Sequence, residues 1–166
     1  MNTFFSLRNK TILLTGANGF IGKTILKYLI KEKCNLILIL RNKKSLKNIR
    51  YLINRKNISI FFSDLNSEEE LDGALLDIVN KFNSIDGIIN LASDNSGLGS
   101  AKNKNNFSKF TRAYNNNLLA PVKIVLTLRK LLQKNKTRDN YASVINISSI
   151  YGNLSPEQTI YKNEKF

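Results

Sequence analysis

The amino-acid sequence predicts an α/β fold built on a parallel sheet of about five strands. Five short runs are rich in Ile, Leu, Val or Phe, and four of them are near-continuous, which is typical of strands buried on both faces. The segments between the runs carry apolar residues at helical spacing. Strands that alternate with helices indicate right-handed crossovers, and therefore a parallel sheet.

The predicted strands share these apolar runs and cover residues 11–14, 36–40, 58–62, 85–92 and 143–147. The first helix follows the first strand, because Ile21, Ile25 and Leu29 recur at helical spacing. The segment after the second strand predicts a basic helix around residues 45–53.

A capping-box pattern predicts where the helix after the third strand begins. Ser67 and Glu70 have the spacing at which each side chain satisfies the other residue's exposed backbone donor. Apolar residues then recur at helical spacing from Leu71 to Phe82. A further long helix is predicted over residues 107–133, whose apolar residues form one broad face.

The length and composition exclude several kinds of site. The 166 residues fit a single domain, residues 1–166, because a chain of this length buries roughly 70% of its unfolded surface. The chain has no His and a single Cys, which excludes nucleophile–His catalysis, His-containing metal sites and thiolate cages. The solitary Cys and the lack of an export or membrane-spanning segment predict a reduced, cytoplasmic protein.

The net charge of +14 comes from 26 Lys and Arg against 12 Asp and Glu. Such a charge can indicate nucleic-acid binding, but the lysines are interleaved with many Asn and Ile residues, which indicates compositional bias. No motif of aromatic and basic residues accompanies the charge, so nucleic acid is not an expected partner. The local basic cluster over residues 41–56 is typical of a solvated face.

A glycine-rich turn, TGANGFIG at residues 15–22, lies between the first strand and the first helix. In this pattern Gly16 permits a tight reversal, Gly19 lets backbone amides approach a pyrophosphate, and Gly22 lets the helix pack closely on the strand. Because both flanking elements are predicted, the motif indicates a dinucleotide-binding turn. Its expected cofactor contacts are Thr15, Gly16, Asn18, Gly19, Phe20, Ile21 and Gly22.

The end of the second strand predicts which dinucleotide binds. About 20 residues beyond the glycines, an acidic residue usually accepts a hydrogen bond from the adenosine 2′-hydroxyl. This sequence has Leu40-Arg41-Asn42 there, followed by Lys43 and Lys44. A guanidinium beside two ammonium groups suits a 2′-phosphate better. NADP(H) is therefore favoured, with Arg41 as its contact, and NAD(H) stays an alternative.

Further motifs follow the glycine turn in a fixed order: Asp64-Leu65, NLAS at residues 90–93, NLLA at 117–120 and NISS at 146–149. The ordered set resembles the short-chain dehydrogenase/reductase superfamily over essentially the whole chain. The segment 149–161 is similar to members acting in flagellin-modification and surface-sugar pathways. The resemblance implies a Rossmann-like doubly wound sheet in strand order 3-2-1-4-5, and hydride transfer between a nicotinamide and a carbonyl or alcohol carbon.

The resemblance also implies cofactor contacts outside the glycine turn. Asp64, with Leu65 beside it, would hold the adenine amino group, and the stretch with Asn90 and Ala92 would line the cofactor. Ser93 stands where the family commonly has Gly. An alternative for Asp64 is to cap the turn after the third strand, which Asp does well.

Two residues are implied to act near the reacting atoms. In the family, the position of Asn117 supports a water and the active-site lysine, and the position of Ser149 hydrogen-bonds the substrate carbonyl. Each has a simpler alternative: Asn117 as a surface residue of an Asn-rich helix, and Ser148 with Ser149 as a helix cap.

The proton donor of the family is a Tyr whose pKa, ordinarily about 10, is lowered by a Lys one helical turn away. Tyr161 and Lys165 have this spacing and follow Ser149 at nearly the family's distance. The alternative is that residues around 149–161 form a loop and that the true pair lies beyond the chain.

These observations lead to two hypotheses. The first is an NADP(H)-preferring oxidoreductase acting on a small carbonyl or alcohol, such as a sugar or sugar-nucleotide precursor. The second is a catalytically silent dinucleotide-binding module with a regulatory or assembly role. The family's substrate-binding part is absent from the sequence, so the fifth strand is expected to be an exposed edge. Either a homo-oligomer or another chain covers this edge, or the sequence is a fragment of a longer protein.

Overall fold

The computed structural model describes residues 6–53, 57–95, 107–134 and 140–154. Five parallel strands form one sheet in the order β3-β2-β1-β4-β5, which confirms the predicted strand order. The strands are β1 (Thr11–Thr15), β2 (Asn35–Leu40), β3 (Ile58–Phe62), β4 (Gly87–Asn90) and β5 (Ser143–Asn146). The helices are α1 (Phe20–Lys31), α2 (Lys43–Lys47), α3 (Glu68–Lys81), α4 (Phe107–Tyr114) and α5 (Ala120–Gln133).

Strand β1 lies at the centre of the sheet, between β2 and β4. Its side chains alternate between two cores, as the pleat of a strand requires. Leu13 packs with α3 and α5 on one face, whereas Ile12 and Leu14 pack with α1 on the other. The sheet is therefore covered by helices on both faces, which confirms the doubly wound architecture.

The predicted basic helix is shorter than expected, since α2 ends at Lys47 and residues 48–52 form turns. Asn42 caps α2, because its side-chain oxygen accepts from the Ser45 amide at 3.0 Å. Lys43 and Lys47 have the same charge four residues apart, which destabilises a helix. Ile49, fully buried, ties the turns to the core.

The helical segment predicted over residues 107–133 has the predicted extent, but a π-helical turn at Asn115–Leu119 interrupts the regular α-helix between α4 and α5. In this turn the Ala120 amide donates to the Asn115 carbonyl, one residue further back than in an α-helix. Pro121 has no N–H for the Asn117 carbonyl four residues earlier, and its ring clashes with that carbonyl in a regular helix. Pro121 thus favours the widened turn.

Strand β5 differs from the other strands in its burial. All four of its residues are exposed, although the strand pairs with β4 from Gly87↔Ser143 to Asn90↔Asn146. Among the described strands β5 and β3 form the two edges of the sheet. No helix in the described ranges is long and apolar enough to cross a membrane.

Candidate functional site

The loops after β1, β3 and β4 meet at the carboxyl edge of the sheet. Strand order reverses at β1, since β2 pairs on one side of β1 and β4 on the other. In open α/β sheets a crevice forms at such a switch point, and ligands bind there. The sequence motifs that predict cofactor contacts lie in these loops.

The glycine turn shows which glycines the fold itself requires. Gly16 has a φ of +72°, and a Cβ on it would lie 2.6 Å from the Ala92 amide nitrogen. A Cβ on Gly22 would lie 2.0 Å from the Gly16 carbonyl oxygen. A Cβ on Gly19 would meet only that oxygen, at 3.4 Å, which is an ordinary contact. The protein's own packing therefore explains Gly16 and Gly22 but not Gly19.

Gly19 precedes the first turn of α1 as its N-cap residue, and it has no side chain that could cap the amides there. Uncapped amides at a helix N-terminus carry a partial positive charge and bind anions. A glycine at the entrance leaves room for an anion to approach the backbone closely. The turn therefore fits a phosphate or pyrophosphate group.

Thr15 joins the glycine turn to the loop after β4. The residue is buried, and its Oγ1 accepts hydrogen bonds from the Leu91 and Ala92 amides, both at 3.1 Å. Two backbone donors inside the crevice are thereby satisfied by one side chain. Thr15 holds the two loops in register.

The remaining residues predicted in the glycine turn differ in exposure. Asn18 is half-buried, whereas Phe20 and Ile21 are largely exposed. An exposed pair of large apolar side chains at the start of α1 provides apolar surface beside the anion-binding amides. Gly19, Phe20 and Ile21 form an open rim of the crevice.

The end of β2 carries an exposed Arg41, as predicted, and no carboxylate. Arg41 lies close enough to Asp64 to contribute to lowering the pKa of that carboxyl. Lys43 and Lys44 are also exposed, in the helix that Asn42 caps. This side of the crevice therefore combines exposed cations with the half-buried Asp64 carboxylate.

Asp64 forms the turn after β3, because its Oδ1 accepts from the Asn66 amide at 3.0 Å. The capping role that the sequence left as an alternative is thus present.

The predicted capping box is half correct. Ser67 Oγ accepts from the Glu70 amide at 3.3 Å, but the Glu70 carboxylate accepts from the Asp64 amide at 2.7 Å. Glu70 therefore fixes the Asp64 loop as well as the helix start.

The ionisation of Asp64 reflects opposing influences. Burial on its own raises the pKa of this carboxyl, because it disfavours the charged form. Hydrogen bonds from Asn66 and the cations Arg112 and Arg41 outweigh burial, so the pKa lies below its ordinary value. Asp64 is a carboxylate at neutral pH and a stronger acid than an isolated side chain.

Sequence reasoning missed an ion-pair cluster in this crevice. Arg112 of α4 lies 2.7 Å from Asp94 through Nε and 3.4 Å from Asp64 through Nη2. Asp94, four residues after β4, is buried. An acid just past a buried strand is a weak signal in the sequence, and nothing in the sequence pairs it with Arg112.

Asn117 lies in the π-helical turn and binds the backbone of Asp94. Its Oδ1 accepts from the Asp94 amide at 2.8 Å, and its Nδ2 donates to the Asp94 carbonyl at 3.0 Å. Asn116, which is buried, donates to the same Oδ1 at 3.0 Å. Asn117 is therefore exposed, as the surface alternative expects, but its side chain also holds the loop after β4.

Asn90 is buried at the end of β4, and its Nδ2 donates to Asn146 Oδ1 of β5 at 2.8 Å. Its own Oδ1 is buried without a hydrogen-bond partner among the described residues. A buried acceptor without a donor is costly. Leu65, also predicted here, is half-buried and packs against the core.

The predicted catalytic residues are only partly described. Ser149 is exposed after β5, where a 3-10 turn (Ile150–Gly152) begins, and its carbonyl accepts from the Gly152 amide at 2.9 Å. Tyr161 and Lys165 lie outside the described residues. Within the described ranges, no cluster of three or more Cys, Asp or Glu side chains could hold a metal ion.

Comparison with known proteins gives matches over most of the chain. A family described as short chain dehydrogenase matches residues 10–166. A fatty acyl-CoA reductase of Acinetobacter baylyi is 28% identical over 147 residues, which are 87% of this chain and 48% of that protein. An NADH-dependent enoyl-[acyl-carrier-protein] reductase of Buchnera aphidicola is 34% identical over 86 residues, which are 50% of this chain and 33% of that protein.

Solved structures share the fold at low identity. The RhlG/NADP active-site complex of Pseudomonas aeruginosa aligns with a TM-score of 0.80 and 22% identity, over 95% of this chain and 61% of that one. A 3-ketoacyl-(acyl-carrier-protein) reductase of Brucella melitensis complexed with NADH aligns with a TM-score of 0.75 and 19% identity, over 89% and 60%. The chain spans about half or less of the length of these curated relatives.

Proposed function

The chain belongs to the short-chain dehydrogenase family, and on this premise we propose that it binds a nicotinamide dinucleotide and takes part in hydride transfer to or from a small carbonyl or alcohol. The observation that carries the proposal is the contrast between the glycines. Gly19 stands where the protein's packing tolerates a Cβ, directly before uncapped amides of α1. A bound pyrophosphate is the partner that would require a glycine there.

The adenosine end of the cofactor is proposed to lie between β2 and β3. Asp64 would accept from the adenine amino group, with Leu65 beside it, and Arg41 would bind a 2′-phosphate. The exposed Arg41, Lys43 and Lys44 favour NADP(H) over NAD(H), since a carboxylate that would repel the phosphate is absent from the end of β2.

The nicotinamide end is proposed to lie over β4 and β5. The buried Oδ1 of Asn90 offers an acceptor to a hydroxyl or amide donor of the cofactor. When bound, the cofactor supplies the hydride or accepts it. Ser149 would hydrogen-bond the substrate oxygen and Asn117 would fix the loop beside it, while Tyr161, activated by Lys165, would move the proton.

The substrate class proposed is a small molecule with a carbonyl or alcohol carbon, such as a sugar or sugar-nucleotide precursor. Similarity of the segment 149–161 to enzymes of surface-sugar pathways supports this class. The relatives named above act on acyl groups, so acyl carriers belong in the same assay panel.

A second candidate is a dinucleotide-binding module without turnover of its own. All four residues of β5 are exposed, and β5 is an edge of the described sheet. These observations favour a partner over β5, either a second copy or another chain. We propose that such pairing precedes any catalysis, because Asn146 and Ser149 stand at this uncovered side.

Binding and turnover test the proposal separately. The full chain should bind NADPH with a change in nicotinamide fluorescence, and Arg41→Ala should weaken NADPH about tenfold while leaving NADH nearly unchanged, since one charged hydrogen bond contributes about 1.5–3 kcal/mol in favourable geometry. Arg50→Ala, another exposed arginine of the same segment, is the matched control. A chain that binds neither NADPH nor NADH would overturn the proposal.

Turnover decides between the two candidates. NADPH oxidation against a panel of sugar and acyl carbonyls should be abolished by Tyr161→Phe if the chain is a complete enzyme. Binding without turnover by the wild type favours the silent module. Light scattering at several protein concentrations then shows whether a dimer forms.

A further inference from the structure

Arg112 connects the loop after β3 to the loop after β4. Its guanidinium, which is partly exposed, reaches Asp94 at 2.7 Å and Asp64 at 3.4 Å through different nitrogens. The planar fork of a guanidinium can serve two carboxylates at once, whereas an ammonium group is a point charge. The three side chains come from three different elements, so their contact depends on the tertiary fold.

Each carboxylate is also fixed within its own loop. Asp64 uses Oδ1 for the Asn66 amide, which leaves Oδ2 to face Arg112 at a distance close to the limit for a hydrogen bond. Asp94 is immobilised by its backbone, which Asn117 binds on both the amide and the carbonyl. Arg112 therefore connects the second carboxylate oxygen of Asp64 to the Asp94 loop that Asn117 holds.

The charge and direction of this acceptor determine what it can recognise. An ionised carboxylate accepts hydrogen bonds and donates none, so it binds an amino group and repels an oxo group. A purine with an amino group at its 6-position is therefore preferred to one with a carbonyl there. Discrimination of this kind requires that the acceptor stay ionised and stay aimed at the purine.

We propose that Arg112 is a positioning residue for purine selection: by linking Asp64 to Asp94 it fixes the carboxylate that distinguishes a 6-amino purine from a 6-oxo purine. This inference rests on the proposed function, in which Asp64 meets the adenine of the dinucleotide. Arg112 itself touches neither the reacting carbon nor the nicotinamide in this proposal. Its effect on binding passes through Asp64.

The test compares NADPH with its deaminated analogue, in which hypoxanthine replaces adenine. The wild-type chain should bind NADPH at least about tenfold more tightly than the analogue, as expected for the loss of one good hydrogen bond and the gain of one repulsion. Arg112→Gln removes the charge and should reduce this ratio to about threefold or less. Arg112→Lys, which keeps a charge but lacks the fork, should also lower the ratio.

Lys123→Gln is the matched control, because Lys123 likewise bridges two carboxylates, Glu68 and Asp72, at 2.9 and 2.8 Å. The Lys123→Gln variant should leave the ratio of the affinities for NADPH and its deaminated analogue unchanged. Thermal unfolding of both Arg112 variants establishes that they are folded. An equal loss of affinity for both dinucleotides, with an unchanged ratio, would overturn the positioning role. A wild type that binds both equally overturns this inference and leaves the proposed function standing, whereas a wild type that binds neither overturns both.

Discussion

The Asn117 side chain holds the backbone of Asp94 through two hydrogen bonds, of 2.8 Å to the amide and 3.0 Å to the carbonyl. Asn117→Ala should therefore lower the free energy of unfolding by about 1–3 kcal/mol, because it removes both hydrogen bonds between this side chain and the Asp94 backbone. Urea denaturation measures this effect. Asn80→Ala, at an exposed position of α3, is the control and should be neutral or slightly stabilising. Equal stabilities of the two variants would contradict the structural role of Asn117.

Substitutions in the glycine turn are expected to affect the stability of the fold and the binding of the dinucleotide to different extents. Gly22→Ala should destabilise the protein by about 1–3 kcal/mol, because the new Cβ would lie 2.0 Å from a backbone oxygen. Gly19→Ala should destabilise the protein less than Gly22→Ala, because Ala meets no clash there and is only a poorer N-cap than Gly, and it should weaken dinucleotide binding. Gly73→Ala has open space around it and should stabilise the protein by about 0.5–1 kcal/mol. Calorimetry and a binding titration on the same samples measure both properties.

Thr15 provides a prediction with an almost isosteric pair of variants. Thr15→Val keeps the shape but leaves the Leu91 and Ala92 amides without their acceptor, so it should destabilise the protein by about 1–3 kcal/mol. Thr15→Ser retains the oxygen and should lie closer to the wild type. If the valine variant were as stable as the serine variant, the hydroxyl would not be holding the loop after β4.

The pH dependence of stability should report on Asp64. Its pKa in the folded protein is lower than in the unfolded chain, because the hydrogen bonds from Asn66 and the cations Arg112 and Arg41 outweigh the effect of burial. The stabilisation is therefore fully present above the ordinary value of 3.8 and is lost as the pH falls through the lower folded value. The difference in unfolding free energy between the wild type and Asp64→Asn should be constant from pH 5 to 7 and shrink below about pH 4. A difference that grows on acidification would reverse the assigned sign.

Local patterns predicted most of the sheet and helices. The apolar runs located the central strands, as in 36–40 against the observed Asn35–Leu40, because burial on both faces leaves a continuous signal. The glycine motif located the loop at the switch point of the sheet. Gly16 and Gly22 are needed there because backbone atoms of other residues lie too close for a Cβ. Strand order came from the family resemblance, and the sheet confirms it.

Some features of the structure were not predicted from the sequence, in particular those that depend on contacts between distant residues. The pairing of Arg112 with Asp94 and Asp64 joins residues up to 48 positions apart, and no periodicity encodes it. The π-helical turn is a local feature that the apolar spacing does not encode, although Pro121 favours it. Glu70 has the right spacing for a capping box, yet it accepts from the Asp64 amide, while the Ser67 amide donates to the Asp64 carbonyl instead.

The exposed strand β5 also affects how readily copies of the protein associate in solution. Val144 and Ile145 are exposed on opposite faces of β5, a strand at the edge of the described sheet. An exposed edge strand can pair with a strand of another molecule. The net charge of +14 opposes such encounters by mutual repulsion. Salt screens this repulsion over about 8 Å at physiological ionic strength but leaves the apolar attraction in place. Pairing of two copies over β5 should therefore become more favourable as the salt concentration rises.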